Sequence, residues 1–432
     1  MEKNRIHLSR RRRETDKRHR RYVSCLTVIL LSAVMLCAGC AGKDIEGNSA
    51  GDSVKQTAAA DGRQNGSVGS TEAAPKAEAA DASSRSWSDM SPVSSMDLFY
   101  ADQFSVDYYE NDISLITIGD TDQFLLLPED VSAPDGLPDS IKILQKPVKN
   151  IYLVATSAMD DFVHLDALDS IALSGTKDTG WYLPEAKTAM EEGKIAYAGK
   201  YSAPDYEKIL SSDCGLAVES TMIYHTPEVK EQLERLGIPV LVERSSYESH
   251  PLGRMEWIRL YGVLTGKETE AEKVFHENME TLSDVLNMEP SGKTAAFFYV
   301  TNSGSVNVRK NGDYIAKMIA LAGGTYVPGN AGSDENALST MNMDFESFYA
   351  AAKDADVLIY NSTIDGELTT ISELCAKNQL FADFKAVKEG NVWCTGKNMF
   401  QETMGLGDMI RDMNAVFAGD TGYDFTYLHQ LK

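Results

Sequence analysis

The chain has 432 residues, of which 43% are hydrophobic and 9% aromatic, and its formal net charge is −23. This length allows two or three domains, and the apolar content supports buried cores, which excludes a wholly disordered chain. The charge is uneven, because residues 1–39 carry ten Lys or Arg against three acidic residues. The remaining body is strongly acidic and would be repelled by phosphate backbones, which argues against nucleic acid as a partner.

The N-terminus has the order of a secretory signal. A basic run precedes an apolar stretch of about 14 residues, from Val23 to Leu36, which is too short for a comfortable transmembrane helix. It ends in Cys37-Ala-Gly-Cys40, which resembles a bacterial lipobox with Cys37 at the usual Leu position. The resemblance implies a signal peptide over 1–39 and a lipidated Cys40, which would anchor the protein to the cell membrane. The alternative is an uncleaved anchor, and both interpretations place the body outside the cytoplasmic membrane.

Residues 40–94 are predicted to form a flexible tether. Positions 41–86 contain no aromatic residue, and Ile45, Val54 and Val68 are the only larger aliphatic residues there. Such a composition cannot bury enough surface to order itself. As a coil it would reach on the order of 40 Å, which would hold a lipid-anchored body just above the membrane.

The ordered sequence is predicted to begin with strands. Residues 104–109 and 113–118 alternate in polarity, and residues 124–127 are a short apolar run that ends at Pro128. We therefore predict a β-rich segment over 95–149 at the start of an N-terminal α/β lobe that covers 95–268.

From residue 151 the pattern changes to short, continuous apolar runs separated by helical stretches. This alternation is typical of a parallel α/β lobe. Residues 269–287 have apolar side chains at helical spacing with no Gly or Pro, which predicts a helix about 28 Å long. The alternation then restarts after Gly292. The predicted fold class is α/β, with two lobes of the parallel-sheet type joined by one long rigid helix over 269–288 and a C-terminal lobe over 289–432.

Four segments, in this order along the chain, carry a resemblance to a known family. They are Asp205-Tyr-Glu-Lys-Ile-Leu at the start of 205–218, Leu233-Glu-Arg-Leu-Gly-Ile-Pro-Val within 233–242, Tyr314-Ile-Ala-Lys-Met-Ile-Ala-Leu-Ala-Gly-Gly over 314–324, and Phe345-Glu-Ser-Phe-Tyr at the start of 345–359. Together they resemble the iron-siderophore and vitamin B12 class of periplasmic binding proteins, the solute receptors of ABC importers. The resemblance covers about residues 146–432 and implies a ligand cleft between the two lobes.

The resemblance also implies a docking role for two glutamates. In this family one Glu on each lobe docks onto Arg pockets of the permease dimer, and the matching positions are Glu207 and Glu346. A carboxylate at each end of a rigid body would give two charge-assisted contacts at a fixed separation. The alternative is that each Glu only stabilises the start of a helix through the helix dipole.

Ligand contacts are expected from loops at the strand ends that face the cleft. Aromatic planes with one or two arginines would suit a large, flat, anionic chelate such as a ferric siderophore. Core packing is the alternative role for each aromatic side chain, and surface ion pairing is the alternative for each arginine. The candidate ligand residues are Trp181, Tyr201, Tyr224, Arg244, Tyr247, Arg309 and Met399.

Other site chemistries receive less support from the sequence. Direct ion binding would need several ligands to converge, and the acidic and histidine candidates lie on different loops (Glu219, His225, Glu243, Glu248 and His250). We therefore predict no metal site and no resident cofactor. Metalloprotease, P-loop and dinucleotide-binding motifs are absent from the sequence, so an enzyme is not predicted.

The sequence as a whole predicts an extracytoplasmic, monomeric lipoprotein that captures a metal chelate. It would deliver the chelate to an ABC permease dimer with its ATPase, and a ferric siderophore is the preferred ligand. A cobalamin or haem receptor of the same class is one alternative. A surface sensor or interaction lipoprotein without an importer is another.

Overall fold

The first strands of the described chain pair into a sheet, because the segments near residue 104 alternate in polarity. The computed structural model describes residues 85–329, 340–420 and 422–432, so the predicted signal peptide and Cys40 lie outside the described residues. The first sheet has five strands in sequential order, antiparallel except for the parallel last pair. They are β1 (Ser94–Ser95), β2 (Phe104–Tyr108), β3 (Ser114–Ile118), β4 (Asp122–Leu127) and β5 (Ile141–Gln145).

This N-terminal sheet is covered on both faces. One face joins the main core, where the ring of Phe104 lies 5.1 Å from that of Trp257. The other face is covered by flanking segments of the chain around Trp87 and Leu137. The apolar run of β4 therefore has no solvent-exposed side.

The next sheet is fully parallel, as short apolar strands alternating with helices require. Its order is β12-β11-β6-β7-β8, with β9 and β10 as a separate antiparallel pair. The strands are β6 (Ile151–Leu153), β7 (Ile171–Ser174), β8 (Ala196–Tyr197), β9 (Gly199–Lys200), β10 (Ala203–Pro204), β11 (Leu216–Ser220) and β12 (Val240–Glu243). The helices are α1 (Met159–His164), α2 (Pro184–Glu191), α3 (Tyr206–Ser211) and α4 (Pro227–Arg235). We call this part the N-terminal lobe.

Two consecutive helices follow this lobe: α5 (Pro251–Thr265) and α6 (Glu268–Leu286). Nearly every residue of α5 is buried, because it packs against α1 on one side and against later helices on the other. Helix α6 is amphipathic and buries Ala271, Phe275 and Leu282. Its bounds lie close to the helix predicted over 269–288, while the buried partner α5 was not singled out as a connecting element.

The last sheet has seven strands and forms the core of what we call the C-terminal lobe. Its order is β16-β14-β13-β17-β18-β19, and β15 also pairs with β13. The strands are β13 (Thr294–Val300), β14 (Val306–Arg309), β15 (Thr325–Val327), β16 (Thr340–Met343), β17 (Val357–Tyr360), β18 (Val392–Thr395) and β19 (Leu428–Gln430). The helices are α7 (Tyr314–Leu321), α8 (Phe345–Ala352), α9 (Ser362–Asp365), α10 (Ile371–Lys377), α11 (Lys385–Lys388) and α12 (Leu406–Ala418).

Candidate functional site

The carboxyl edges of the two lobes' sheets face each other. Ser157 follows β6, and its carbonyl accepts a hydrogen bond from Thr403 Oγ1 at 2.9 Å. The Met404 N–H donates to Asp160 Oδ2 at 2.7 Å. Thr403 and Met404 follow β18 of the C-terminal lobe. Because ligands of open α/β sheets bind at the carboxyl ends of the strands, the space between these edges is the candidate ligand cleft.

A further contact closes this cleft on the side of β7. The Tyr182 N–H donates to Gln401 Oε1 at 2.7 Å, and Gln401 Nε2 donates to the Gly180 carbonyl at 2.8 Å. The rings of Tyr182 and Phe400 meet edge to face at 6.1 Å. The buried amide of Gln401 therefore joins the two lobes directly.

Large apolar side chains are left exposed in the loops at these edges. Tyr182 follows β7, Met222 and Tyr224 follow β11, and Ile364 lies in α9 directly after β17. Each of the four side chains is between 44% and 67% exposed. Loops at strand ends commonly carry binding residues, so these four side chains are candidates for a ligand-binding surface.

Three of the predicted ligand residues converge in the N-terminal lobe. Arg244 follows β12, and its guanidinium carbon lies 4.9 Å from the ring centre of Tyr247. Its Nη1 lies 3.4 Å from the Tyr224 hydroxyl. Its Nε and Nη2 donate to Oε1 of Gln103 at 3.1 and 2.8 Å. Among the described residues no carboxylate forms an ion pair with Arg244.

Gln103 is itself fixed by two buried glutamates near the start of α5. Glu256 and Glu248 accept five consecutive backbone N–H groups, from Phe99, Tyr100, Ala101, Asp102 and Gln103, at 2.8 to 3.2 Å. Glu248 also accepts from the Trp257 indole N–H at 2.9 Å. The sequence did not reveal this arrangement. The available signal was a pair of glutamates at and near the start of a mostly apolar helix that also carries Arg254 and Arg259.

On the C-terminal side, Arg309 is held inside its own lobe. Its Nη1 lies 3.6 Å from Asp313 Oδ2, and its guanidinium carbon lies 5.7 Å from the ring centre of Tyr314. Arg254 of α5 reaches the same ring at 4.1 Å. Arg254 thus links the two lobes, although the sequence did not single it out. Its signal was an arginine in the first turn of the helix that follows the last strand of the N-terminal lobe.

Two buried acids, Asp161 and Glu243, lie close to Ser157 and Arg254 at the lobe junction. Burial raises the pKa of Asp161 well above its usual range, and the negative charges of Asp160 and Glu243 raise it further. Burial also raises the pKa of Glu243, although the Ser245 N–H donates to its carboxylate at 2.6 Å. These two carboxyl groups retain protons more readily than exposed ones, so the lobe junction is less negative than the composition suggests.

The other predicted ligand residues are less accessible. Trp181 and Met399 belong to the main core and are 5% and 3% exposed. Tyr201 is half-buried and packs against the outer core of the N-terminal lobe. Their role as ligand contacts remains a prediction, and in the present arrangement all three contribute to packing.

The two predicted docking glutamates occupy equivalent local positions. Asp205 caps α3 by accepting from the Lys208 N–H at 3.1 Å, and Asp344 caps α8 by accepting from the Ser347 N–H at 2.7 Å. Glu207 and Glu346 are each the second residue of the helix and are exposed. Neither carboxylate has a hydrogen-bond or ion-pair partner among the described residues.

The described residues show no grouping of three His, Cys, Asp or Glu side chains that could hold a metal ion. Glu219 and Glu243, two of the alternative ligands, point to opposite faces of the parallel sheet of the N-terminal lobe. Cys214, Cys375 and Cys394 are free thiols. Within residues 85–329, 340–420 and 422–432 no helix has the length and hydrophobicity of a membrane span.

Comparison with known proteins agrees with this architecture. The sequence pattern of the periplasmic binding protein family matches residues 153–399. Two uncharacterized lipoproteins of Methanocaldococcus jannaschii are similar, one at 27% identity (65% of this chain, 68% of the relative) and one at 26% identity (77% and 86%). The five-stranded N-terminal sheet precedes the matched range.

Solved structures share the fold at low sequence identity. A periplasmic haem-binding protein from Pseudomonas aeruginosa aligns with a TM-score of 0.52 at 15% identity, covering 66% of this chain and 98% of that chain. A periplasmic binding protein from Veillonella parvula aligns with a TM-score of 0.51 at 16% identity, covering 63% and 93%. These alignments, together with the parallel sheets, confirm the predicted α/β fold with parallel sheets.

Proposed function

Because this chain belongs to the periplasmic binding protein family, we propose that it captures a metal chelate outside the cell membrane and delivers it to an ABC importer. The observation that carries the proposal is the set of exposed apolar side chains at the facing edges of the two lobes. Tyr182, Met222 and Tyr224 lie on one edge and Ile364 on the other. A chelate with an organic shell would cover these side chains and remove their apolar surface from water.

A ferric siderophore is the ligand that best fits the chemistry of the cleft. Arg244 supplies a positive charge beside the rings of Tyr224 and Tyr247, which suits a flat organic ligand that carries anionic oxygens. Haem is the alternative, since the similar structure from Pseudomonas aeruginosa is named as a haem-binding protein. A carrier of this kind needs no resident cofactor and performs no chemical step.

The positions of Glu207 and Glu346 support the proposed delivery step. Each carboxylate is exposed and unpaired within the described part of the chain, so each is available to an arginine of a permease subunit. We place the protein at the outer face of the cell membrane, held by lipid on Cys40. Permease and ATPase subunits are the partners that this role requires.

Ligand titration of the purified full-length protein tests the proposal. The panel is a ferric catecholate, a ferric hydroxamate, haem, cyanocobalamin and Fe³⁺ alone, followed by intrinsic tryptophan fluorescence. We expect saturable binding of one chelate with a Kd below about 1 µM, which is the affinity expected when a cleft buries most of the surface of such a ligand. Binding of Fe³⁺ alone would contradict a chelate receptor. Binding of no member of the panel would also contradict it, and would favour a surface sensor or interaction protein.

A further inference from the structure

The arginine at the cleft is held entirely by neutral groups, in a chain whose net charge is −23. Gln103 accepts two of its N–H groups, and the rings of Tyr224 and Tyr247 flank it. Gly119, at φ +60° in the turn between β3 and β4, lies beneath the guanidinium, and a Cβ at that position would be 3.5 Å from the Arg244 guanidinium carbon. Gly119 therefore brings backbone against the arginine with no side chain of its own between them, and the next residue of the turn, Asp120, is exposed.

This arrangement leaves one edge of the guanidinium available. An arginine side chain has five N–H donors in a fixed plane, and Gln103 Oε1 takes one from Nε and one from Nη2. Only the Tyr224 hydroxyl, at 3.4 Å, lies against Nη1 among the described residues. The strongest partner for such an edge is an anionic oxygen, because charge-assisted hydrogen bonds are about twice as strong as neutral ones.

The amide at position 103 is the distinctive element. A carboxylate there would also fix the arginine, but it would neutralise its charge and compete with an anionic ligand. An amide oxygen fixes the arginine without pairing a negative charge with it directly, and Gln103 Nε2 in turn donates to Oδ1 of the exposed Asp102 at 2.6 Å. The backbone N–H of Gln103 donates to the buried carboxylate of Glu248, which fixes the position of Gln103. The Arg244 side chain is therefore ordered when the protein folds, and its loss of conformational entropy does not weaken ligand binding.

We propose that Gln103 is a positioning residue of the ligand site, and that it directs Arg244 towards an anionic oxygen of the ligand between Tyr224 and Tyr247. The ligand class is a chelate that carries carboxylate or catecholate oxygens next to a flat organic face. This inference rests on the proposed function. It also gives the N-terminal sheet a role, because Gln103 directly precedes β2 of that sheet. Both lie before the range 153–399 that the family pattern matches.

The test measures Kd for two ferric chelates of opposite charge with the full-length protein. The first is a tris-catecholate, which is anionic, and the second is a hydroxamate with a pendant amine, which is cationic. The variants are Arg244→Ala, Gln103→Ala and Gln103→Glu. The matched controls are Gln232→Ala and Arg235→Ala, because Arg235 Nη2 donates to Gln232 Oε1 at 2.7 Å on the exposed face of α4.

We expect Arg244→Ala to weaken binding of the anionic chelate by roughly 10- to 100-fold, the usual range for a hydrogen bond to a charged group. Gln103→Ala should weaken it by several-fold, because the arginine is no longer oriented. Gln103→Glu should also weaken binding of the anionic chelate, because the new carboxylate neutralises Arg244, while the melting temperature stays unchanged or rises. A purely structural role of Gln103 does not predict this combination. The two controls should bind like the wild type.

Two results would overturn the inference while leaving the proposed function in place. One is wild-type binding of the anionic chelate that none of the three variants alters. The other is a wild-type preference for the cationic chelate. A wild-type protein that binds neither these chelates nor haem would instead overturn the proposed function, and the inference with it.

Discussion

The backbone N–H of Tyr100 donates a 2.8 Å hydrogen bond to Oε2 of Glu256, a carboxylate that is fully buried on α5. The same oxygen accepts from the Ala101 N–H at 2.9 Å, and Arg259 Nη1 donates to the other oxygen at 2.9 Å. A buried carboxylate of α5 therefore binds residues 99–101, which lie between β1 and β2 of the N-terminal sheet. This contact links the sheet to the helix pair α5 and α6. The order of residues 99–101 depends on this carboxylate, while residues 102 and 103 are held by Glu248.

We expect Glu256→Gln to destabilise the protein by about 2–4 kcal/mol, since an amide accepts on one side only and leaves buried donors and the Arg259 charge poorly compensated. Urea unfolding measures the loss, and hydrogen exchange at 99–103 should accelerate. The matched control is Glu272→Gln. Glu272 accepts from Arg259 Nε at 2.7 Å but is 40% exposed, so its loss should cost less than about 1 kcal/mol. Equal losses in the two variants would contradict this account.

A second buried carboxyl, that of Glu219, has no hydrogen-bond partner within the part of the chain that the structure describes. Glu219 is the penultimate residue of β11 and lies on the outer face of the sheet. It is 0% exposed, and neither of its oxygens has a hydrogen-bond partner among the described residues. Burial raises its pKa to about 8. The folded protein therefore holds a proton on Glu219 at pH values where the unfolded chain, with a pKa near 4.5, has released it.

The sign of the pH dependence follows from this difference. Below pH 4.5 the carboxyl is neutral in both states, and between pH 4.5 and about 8 stability falls as pH rises, by at most about 1.4 kcal/mol per pH unit. We expect Glu219→Gln to remove this slope and to stabilise the protein at pH 8 by a few kcal/mol relative to the wild type. Thermal unfolding from pH 5 to 8 measures it, with the exposed Glu228→Gln as control. A stability difference that does not grow with pH would contradict the assignment.

The sequence predicted the fold class and the family because both depend on local patterns. Short apolar runs between helical stretches determine parallel strands, and segments such as 233–242 carry family features in a few consecutive residues. The proximity of Tyr224, Arg244 and Tyr247 could be predicted for the same reason. Each residue follows a predicted strand, and the carboxyl ends of parallel strands lie at one edge of the sheet.

The sequence could not predict contacts between distant segments. Gln103 and Arg244 are 141 positions apart, and nothing in either local pattern announces their hydrogen bonds. Trp181 and Met399 are aromatic or large apolar residues in loops, so their burial in the core depends on packing that periodicity does not encode. The contact of Arg254 with Tyr314 could not be predicted either. Helical periodicity identifies the apolar face of α5, but it does not indicate which charged side chain of the helix reaches the opposite lobe.

An ion pair at the lobe junction gives a further pH prediction. His164 Nδ1 lies 3.2 Å from Asp160 Oδ1, and the hydrogen bond to Asp160 raises the pKa of His164 to about 9. The other oxygen of Asp160 accepts from Met404 across the cleft. The stabilisation from protonated His164 is complete below pH 6.5 and is lost as pH rises through 9.

We therefore expect His164→Gln to cost up to about 1 kcal/mol at pH 6, a modest value because the imidazole is 41% exposed. The cost should vanish above pH 9.5 or so, where the wild-type His164 is neutral as well. Urea unfolding at pH 6 and pH 10 measures the difference. A cost that is independent of pH would assign the contact to packing rather than to charge.

The proposed docking role leads to a separation of binding from transport. Glu207 and Glu346 lie on different lobes, and neither lies in the cleft loops. We expect the Glu207→Ala/Glu346→Ala double variant to bind the chelate with a Kd within about twofold of the wild type. Uptake in cells should fall at least about tenfold, because each substitution leaves a permease arginine without its carboxylate.

The matched control for docking is the Glu185→Ala/Glu228→Ala double variant. Glu185 and Glu228 are likewise the second residues of helices, α2 and α4, and are exposed without an ion-pair partner among the described residues. Loss of a favourable helix-dipole interaction costs the same in both double variants, roughly 0.3–1 kcal/mol per site. Only a specific contact with the permease can therefore make uptake differ between them. Equal uptake by the two double variants would assign Glu207 and Glu346 to helix stabilisation alone.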